Sequence, residues 1–245
     1  MAAAIELAAP ATTVAEVDDL RLGIVGAGKF GTTLARAALA AGYDVAISGS
    51  GPADDIALTI DMLAPGARAA TTEEVVRHSD IVVLAVPTHR FRELPRELFA
   101  GKILIDAMNY WEPMDGVDAE LADARDGTSM IVQERFPSAR VVKSLNQLGY
   151  HQVEEHQRDK GASGRIAIGA AGDDQLAVRQ VMHFVDRLGF DPVDAGPLKN
   201  GRFLEPDGSP IATTYSAEGL AKLIPTRRPN REPVPAGSPR ARDES

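Results

Sequence analysis

The chain has 245 residues, a formal charge of -9, no cysteine and 44% hydrophobic content. That length and apolar share allow one large or two modest domains with a true core. The missing cysteine excludes disulfides, thiol nucleophiles and cysteine-ligated metal, and points to the cytoplasm. The acidic balance argues against nucleic acid as a partner, because neutralising phosphates takes a concentrated basic surface.

Residues 1–18 form an alanine-rich stretch without a basic leader region, interrupted by Pro10 and carrying Glu6 and Glu16. It reads as a flexible extension, neither signal peptide nor membrane span. Leu22 to Val25 then forms an apolar strand that runs into Gly26, Gly28 and Gly31, spaced G-x-G-x-x-G, and into a helix over Thr32 to Ala41 closed by Gly42. A second strand, Asp44 to Ile47, completes a β-α-β unit. In such a turn the first glycine allows the tight bend, the second lets backbone approach a pyrophosphate and the third lets the helix sit close on the sheet. The phosphates would lie against the helix's free N–H groups and positive end.

Thr71 to Glu74 reads as a capping box for a short helix ending near His78, followed by the buried parallel strand Ile81 to Val86. A helix over Arg90 to Phe99, a strand over Ile103 to Ala107, a long loop, a helix over Ser129 to Phe136 and a strand over Arg140 to Ser144 continue the alternation. The fold class is therefore α/β, a Rossmann doubly wound parallel sheet occupying residues 19–150. A further unit follows in 151–224: strand Arg165 to Ile168, helix Asp174 to Leu188 and strand Asp191 to Asp194. It either extends the same sheet or makes a small C-terminal α/β lobe. Residues 225–245 are rich in Pro, Arg and Ser and are expected to be disordered, having too little apolar surface to offset ordering entropy.

Ligands of open α/β sheets bind at the carboxyl ends of the strands. After the second strand, where an NAD-selective site places an acid on the ribose, the chain has Ser48, Gly49, Ser50 and Gly51. Small hydroxyl residues leave room for a 2′-phosphate and tilt the reading to NADP(H), with NAD(H) as the alternative. After the fourth strand Val86 and Pro87 offer an apolar edge to a flat ring, and after the fifth Asn109 offers a donor and an acceptor to a carboxamide. Tyr110 and Trp111 beside it either cover a planar ligand or pack the loop Glu112 to Gly127. His151 and His156, five apart among glutamates, read as a solvated face, and no metal site, Ser-His-Asp set or carboxylate pair is legible.

Gly26 to Gly31, the strand Asp80 to Pro87, Val141-Val142-Lys143-Ser144-Leu145-Asn146 and Asp194-Ala195-Gly196-Pro197-Leu198 together resemble the F420-dependent NADP oxidoreductases, over roughly Leu20 to Glu205. The resemblance implies hydride transfer between NADP(H) and coenzyme F420 as co-substrate, a small-molecule redox partner, and a homodimer through a long helix that Pro206 to Pro210 makes less secure here; no membrane is expected from the residues themselves. It implies that Gly26, Ala27, Gly28, Lys29, Phe30 and Gly31 serve the pyrophosphate, and Ser48, Gly49 and Ser50 the 2′-phosphate region. Val86, Pro87 and Asn109 would serve the nicotinamide, and Asn146, Gln147 and Leu148 would line the cleft. Stacking two rings and excluding water needs no nucleophile, so no catalytic residue is expected. An imine or ketone reductase would instead need a proton donor, for which Tyr110 or His89 are the candidates, and a dinucleotide sensor would need none. The chain departs from the family's Ser-Arg after the second strand and Thr in the glycine loop, having Gly49-Ser50 and Ala27. It also departs in Tyr110-Trp111-Glu112-Pro113 and in Pro206 to Pro210, which breaks the family's long helix.

Overall fold

A computed structural model describes residues 20–206 and 214–224. The expectations for the 1–18 extension, the 225–245 tail and the break over 207–210 lie outside those residues.

The strands are β1 Arg21–Val25, β2 Asp44–Ser48, β3 Arg68–Ala69, β4 Ile81–Leu84, β5 Ile103–Asp106, β6 Arg140–Ser144, β7 Ala167–Gly172 and β8 Asp191–Gly196. They form a single sheet in the order β3-β2-β1-β4-β5-β6-β7-β8. Strands β1 to β6 are parallel, and the direction reverses once, where β6 meets β7. β7 and β8 thus extend the first sheet instead of standing beside it, and they pair parallel with each other.

Helices lie on both faces: α1 Lys29–Ala40, α2 Asp54–Leu63, α3 Thr72–His78, α4 Glu112–Asp115, α5 Ala119–Ala122, α6 Thr128–Arg135, α7 Tyr150–Glu155, α8 Gln175–Arg187 and α9 Ala217–Leu223. The pleat sorts side chains between two cores. Leu22 and Ile24 of β1, with Val45 and Ile47 of β2, pack with α1 and α8 on one face. Val25, Ala46, Val82, Leu84 and Leu104 pack against Val75, Phe99 and Phe136 on the other. A smaller cluster joins Leu220 and Ile224 to Ala167, Ala171 and Val193. The capping box at Thr71 is present: Glu74 N–H donates to the Thr71 hydroxyl, and Thr71 N–H donates to the Glu74 carboxylate.

Several expected elements are displaced. The single helix over Arg90 to Phe99 is instead two 3-10 turns, Thr88–Glu93 and Arg96–Phe99, because Pro95 between them has no N–H to continue a helix. The strand placed at Arg165 to Ile168 starts later, at Ala167, and runs to Gly172. At Gly169 a Cβ would stand 2.5 Å from Leu204 Cδ2, so that side chain packs directly on the strand's backbone. Arg165, ahead of the strand, is buried and paired with Asp186 and Asp191 at 2.7 Å each. Helices α2 and α7 and the short α4 and α5 inside the long loop are not foreseen. In α2 only Ile60 is buried while Leu58 and Met62 face solvent, so no apolar stripe marks it.

Candidate functional site at the carboxyl rim of the sheet

The sheet's strand order reverses between β1 and β4, and the glycine turn lies at that switch point, where open α/β sheets bind ligands. Gly26 sits at φ +123°, and a Cβ there would stand 2.3 Å from the Ala85 carbonyl oxygen, so this residue must be glycine. At Gly31 a Cβ would stand 1.9 Å from the Gly26 carbonyl oxygen, which is how closely α1 approaches the turn. Gly28 differs. It is the N-cap of α1, extended at φ -79° and ψ -173°, and a Cβ there meets nothing within 4 Å. The N-cap of α1 supplies no side-chain bond and no acid stands in its first turn, so neither competes with an anion for its N-terminal N–H groups. The turn thus fits a pyrophosphate cradle, with room above Gly28 that a side chain would fill. Ala27 and Phe30 are half-buried against the core, and Lys29 holds its Nζ 5.3 Å from the Tyr150 ring.

Past β2 the expected contacts divide. Ser48 is fully buried, and its hydroxyl lies 3.1 Å from that of Thr72. Ser48 follows Ile47 on the pleat, so it faces α3 and is withdrawn from the surface a ligand would touch. Gly49 rests on Ile56, while Ser50 is exposed. The first turn of α2 brings Asp54 and Asp55 to this loop, and the residues from 48 to 55 include no Lys or Arg.

Past β4, Val86 is half-buried and Pro87 exposed. Past β5 and β6, Asn109 and Asn146 interlock: Asn109 Nδ2 donates to the Asn146 carbonyl at 2.7 Å, and Asn146 Nδ2 donates to Asn109 Oδ1 at 3.0 Å and to the Leu204 carbonyl at 2.7 Å. Asn146 Oδ1 is buried without a partner. The turn below them holds Leu145 at φ +66°, a conformation costly for a non-glycine residue. Leu148 is 5% exposed and packs in the core with Val153, so it supports the cleft from beneath instead of lining it. Gln147 is turned to β7, its side-chain oxygen accepting from Gly169 N–H at 2.7 Å.

Under this rim lies a buried polar group that the sequence reading passes over. Lys143 and Asp106 are fully buried; Lys143 Nζ donates to the Met108 carbonyl at 2.6 Å and stands 3.3 Å from Asp106 Oδ2. Ser129 donates to Asp106 Oδ2 at 2.6 Å, and Met108 N–H to Asp106 Oδ1 at 3.0 Å. Glu205 accepts from the Thr128 N–H and hydroxyl at 2.9 and 2.8 Å and lies 3.8 Å from Lys143 Nζ. The signal for it was a lysine inside the apolar run Val141-Val142-Lys143, a residue that cannot stay buried unpaired.

The loop after β5 closes one side. Asp115 accepts from Thr88 N–H and Trp111 N–H at 2.9 Å each, and lies 3.3 Å from His89 Nδ1. The Tyr110 hydroxyl donates to the Gly116 carbonyl at 2.9 Å and accepts from Asp118 N–H at 3.0 Å, so it packs the loop. Trp111 does not share that role, since it is 60% exposed, near the similarly exposed Met114 and Val117. Asp118 is held below the usual carboxylate range by the N–H of Leu121 and by Arg92, against an opposing effect of burial. Among the described residues no cluster of His and acids could hold a metal, and no helix is long and apolar enough to cross a membrane.

Residues 21–110 match the family described as NADP oxidoreductase, coenzyme F420-dependent. The rat metalloreductase STEAP3 is 26% identical over 187 residues, covering 76% of this chain and 36% of the relative. The chain therefore spans about a third of the length of the metalloreductases it matches. Among solved structures, a hypothetical Sinorhizobium meliloti protein shares 28% identity and a TM-score of 0.67, covering 81% of this chain and 93% of that one. An Arthrobacter sp. FB24 protein proposed as an F420-dependent NADP-reductase shares 26% identity and a TM-score of 0.65, covering 75% and 87%.

Proposed function

We propose that the chain, whose residues 21–110 match the coenzyme F420-dependent NADP oxidoreductase family, transfers a hydride between NADP(H) and the deazaflavin F420. The observation that carries this reading is the bare N-terminus of α1 beneath Gly28, a cradle shaped for a pyrophosphate at the sheet's switch point. The dinucleotide, when bound, supplies the hydride at its reduced nicotinamide C4.

The protein's part is positioning. The open backbone at Gly28 and the first turn of α1 receive the pyrophosphate, flanked by Ala27, Lys29 and Phe30, while Gly26, whose N–H donates to the Ser48 carbonyl, and Gly31 let the turn and the helix close on each other. Ser50, with the backbone of Gly49, meets the adenosine ribose end. Val86 and Pro87 give the nicotinamide an apolar edge. The interlocked Asn109 and Asn146 form the rim facing its carboxamide, and the buried Lys143–Asp106 pair beneath holds the Met108–Asn109 segment in place. The exposed Trp111, Met114 and Val117 offer an apolar lip suited to a planar acceptor.

The purified protein is to be titrated calorimetrically with NADPH and NADH, and NADPH oxidation followed with F420 and with a panel of imines and ketones. Dinucleotide binding with turnover on F420 is the expected result. Turnover confined to the carbonyl and imine panel would replace the acceptor, and binding without any turnover would leave a dinucleotide-sensing module.

A further inference from the structure

We propose that His89, oriented by Asp115, is the catalytic acid and base that moves the proton accompanying the hydride; this rests on the function proposed above. Reduction of a deazaflavin ring takes a hydride at C5 and a proton at N1, so a ring-stacking site still benefits from a placed proton donor.

The loops leaving β4 and β5 assemble such a group. His89 lies two residues past Pro87, at the exit of β4. Asp115, at the end of α4, has a side chain only 6% exposed, and it binds both loops at once through Thr88 N–H and Trp111 N–H. The same carboxylate faces His89 Nδ1. An acceptor at Nδ1 keeps a proton there and leaves Nε2 as the exchanging position. The ring is 45% exposed, and Nε2 has no hydrogen bond among the described residues, so that nitrogen is open to solvent at the carboxyl rim of the sheet. The charged neighbours on its own turn are paired elsewhere: Arg90 with Glu93 at 2.7 Å, and Arg92 with Asp118 and Glu120 at 2.6 and 2.5 Å.

Other groups at the rim are unsuited to the task. Tyr110 uses its hydroxyl as donor and acceptor within the loop, and Lys143 is fully buried on Met108 and Asp106. In the reducing direction the imidazolium of His89 gives its Nε2 proton to N1 of the deazaflavin as the nicotinamide hydride reaches C5. The nicotinamide is left as the oxidised pyridinium and His89 as neutral imidazole with its proton on Nδ1 against Asp115. Solvent then returns a proton to Nε2. In the oxidising direction neutral His89 takes the N1 proton as the hydride departs.

The test compares the parent, His89→Ala and Asp115→Asn, using F420 and NADPH. His89→Ala is expected to lower kcat on the order of a hundredfold, to lose the limb of the pH profile due to the imidazole, and to regain turnover with added imidazole. Its NADPH affinity, read by calorimetry, stays within about twofold of the parent, a difference under about 0.5 kcal/mol. Independently of activity, nitrogen NMR of the parent should find neutral His89 protonated on Nδ1, a preference that Asp115→Asn, which keeps only a neutral and weaker acceptor, reduces. An unchanged rate and pH profile in His89→Ala, or a neutral ring protonated on Nε2, overturns the role of His89. A parent protein that binds NADPH but never reduces F420 overturns instead the function on which the role rests.

Discussion

Gly28 and Gly31 belong to one motif, yet the structure assigns opposite consequences to filling them. At Gly31 the added Cβ of alanine would stand 1.9 Å from the Gly26 carbonyl oxygen, where an ordinary carbon–oxygen contact is about 3.3–3.6 Å. Backbone must move on backbone, with α1 wedged between the sheet and α7. Overpacking of this kind costs about 1–3 kcal/mol, and the upper end is expected here. With a urea slope of about 3 kcal/mol per molar for a domain of this size, the unfolding midpoint of Gly31→Ala should fall by about 1 M. At Gly28 the backbone is already extended and no atom lies within 4 Å, so Gly28→Val should shift stability by less than about 1 kcal/mol. Its side chain instead occupies the approach to the α1 N–H groups. Losing two hydrogen bonds to charged oxygens, at about 1.5–3 kcal/mol each, predicts more than a hundredfold weaker NADPH binding. Urea unfolding and calorimetric titration of both variants provide the check. Equal unfolding midpoints, or parental affinity in Gly28→Val, would refute the division of the motif into one steric and one ligand-facing glycine.

Ser48→Asp should act on stability rather than cofactor choice, because the buried carboxylate loses water and meets the Thr72 hydroxyl; a loss of at least about 3 kcal/mol is expected in urea unfolding. The exposed Ser50→Asp should instead lower the NADPH-to-NADH affinity ratio severalfold by calorimetry, an outcome that an unchanged ratio would contradict. Lys143→Met leaves Asp106 buried without its cation and should cost about 3–5 kcal/mol, whereas Lys143→Met combined with Asp106→Asn should recover much of the loss, a non-additivity that unfolding of the single and double variants would measure. Asp118 has a lowered folded pKa, so its contribution is complete above the unfolded value of about 3.9 and disappears as pH falls through the lower folded value. The stability gap between parent and Asp118→Asn should accordingly persist from neutral pH to about 5 and close in the acid range below about 3.9; a gap that closes near neutrality would assign the effect to another group.

The parts of the fold that were legible are those encoded by nearby residues. The glycine spacing needs only a strand before it and a helix after it. The capping box at Thr71 spans four residues, and the apolar runs of β4 and β5 are continuous because both faces of those strands are covered. Where local signals competed, they misled: Pro95 outweighed the helical pattern of Arg90 to Phe99, and the Ala- and Gly-rich β7 carries little strand propensity of its own.

The candidate site divides along the same line. Gly26, Gly28 and Gly31 could be read from spacing because a turn's geometry is local. Whether Ser48 faced a ribose or Thr72, and whether Leu148 lined a cleft or filled the core, depended on pleat and on the helix packed above it. Asp115 meets His89 across 26 residues, and Asp106 meets Lys143 across 37, with no periodic signal joining either pair. The sequence by itself thus determined the doubly wound core and the glycine turn, through short-range sterics and the spacing of apolar residues. Only the tertiary structure decided the antiparallel seam at β6 and β7 and the polar partners at the rim, because side-chain direction and long-range pairing follow from how strands and loops are brought together.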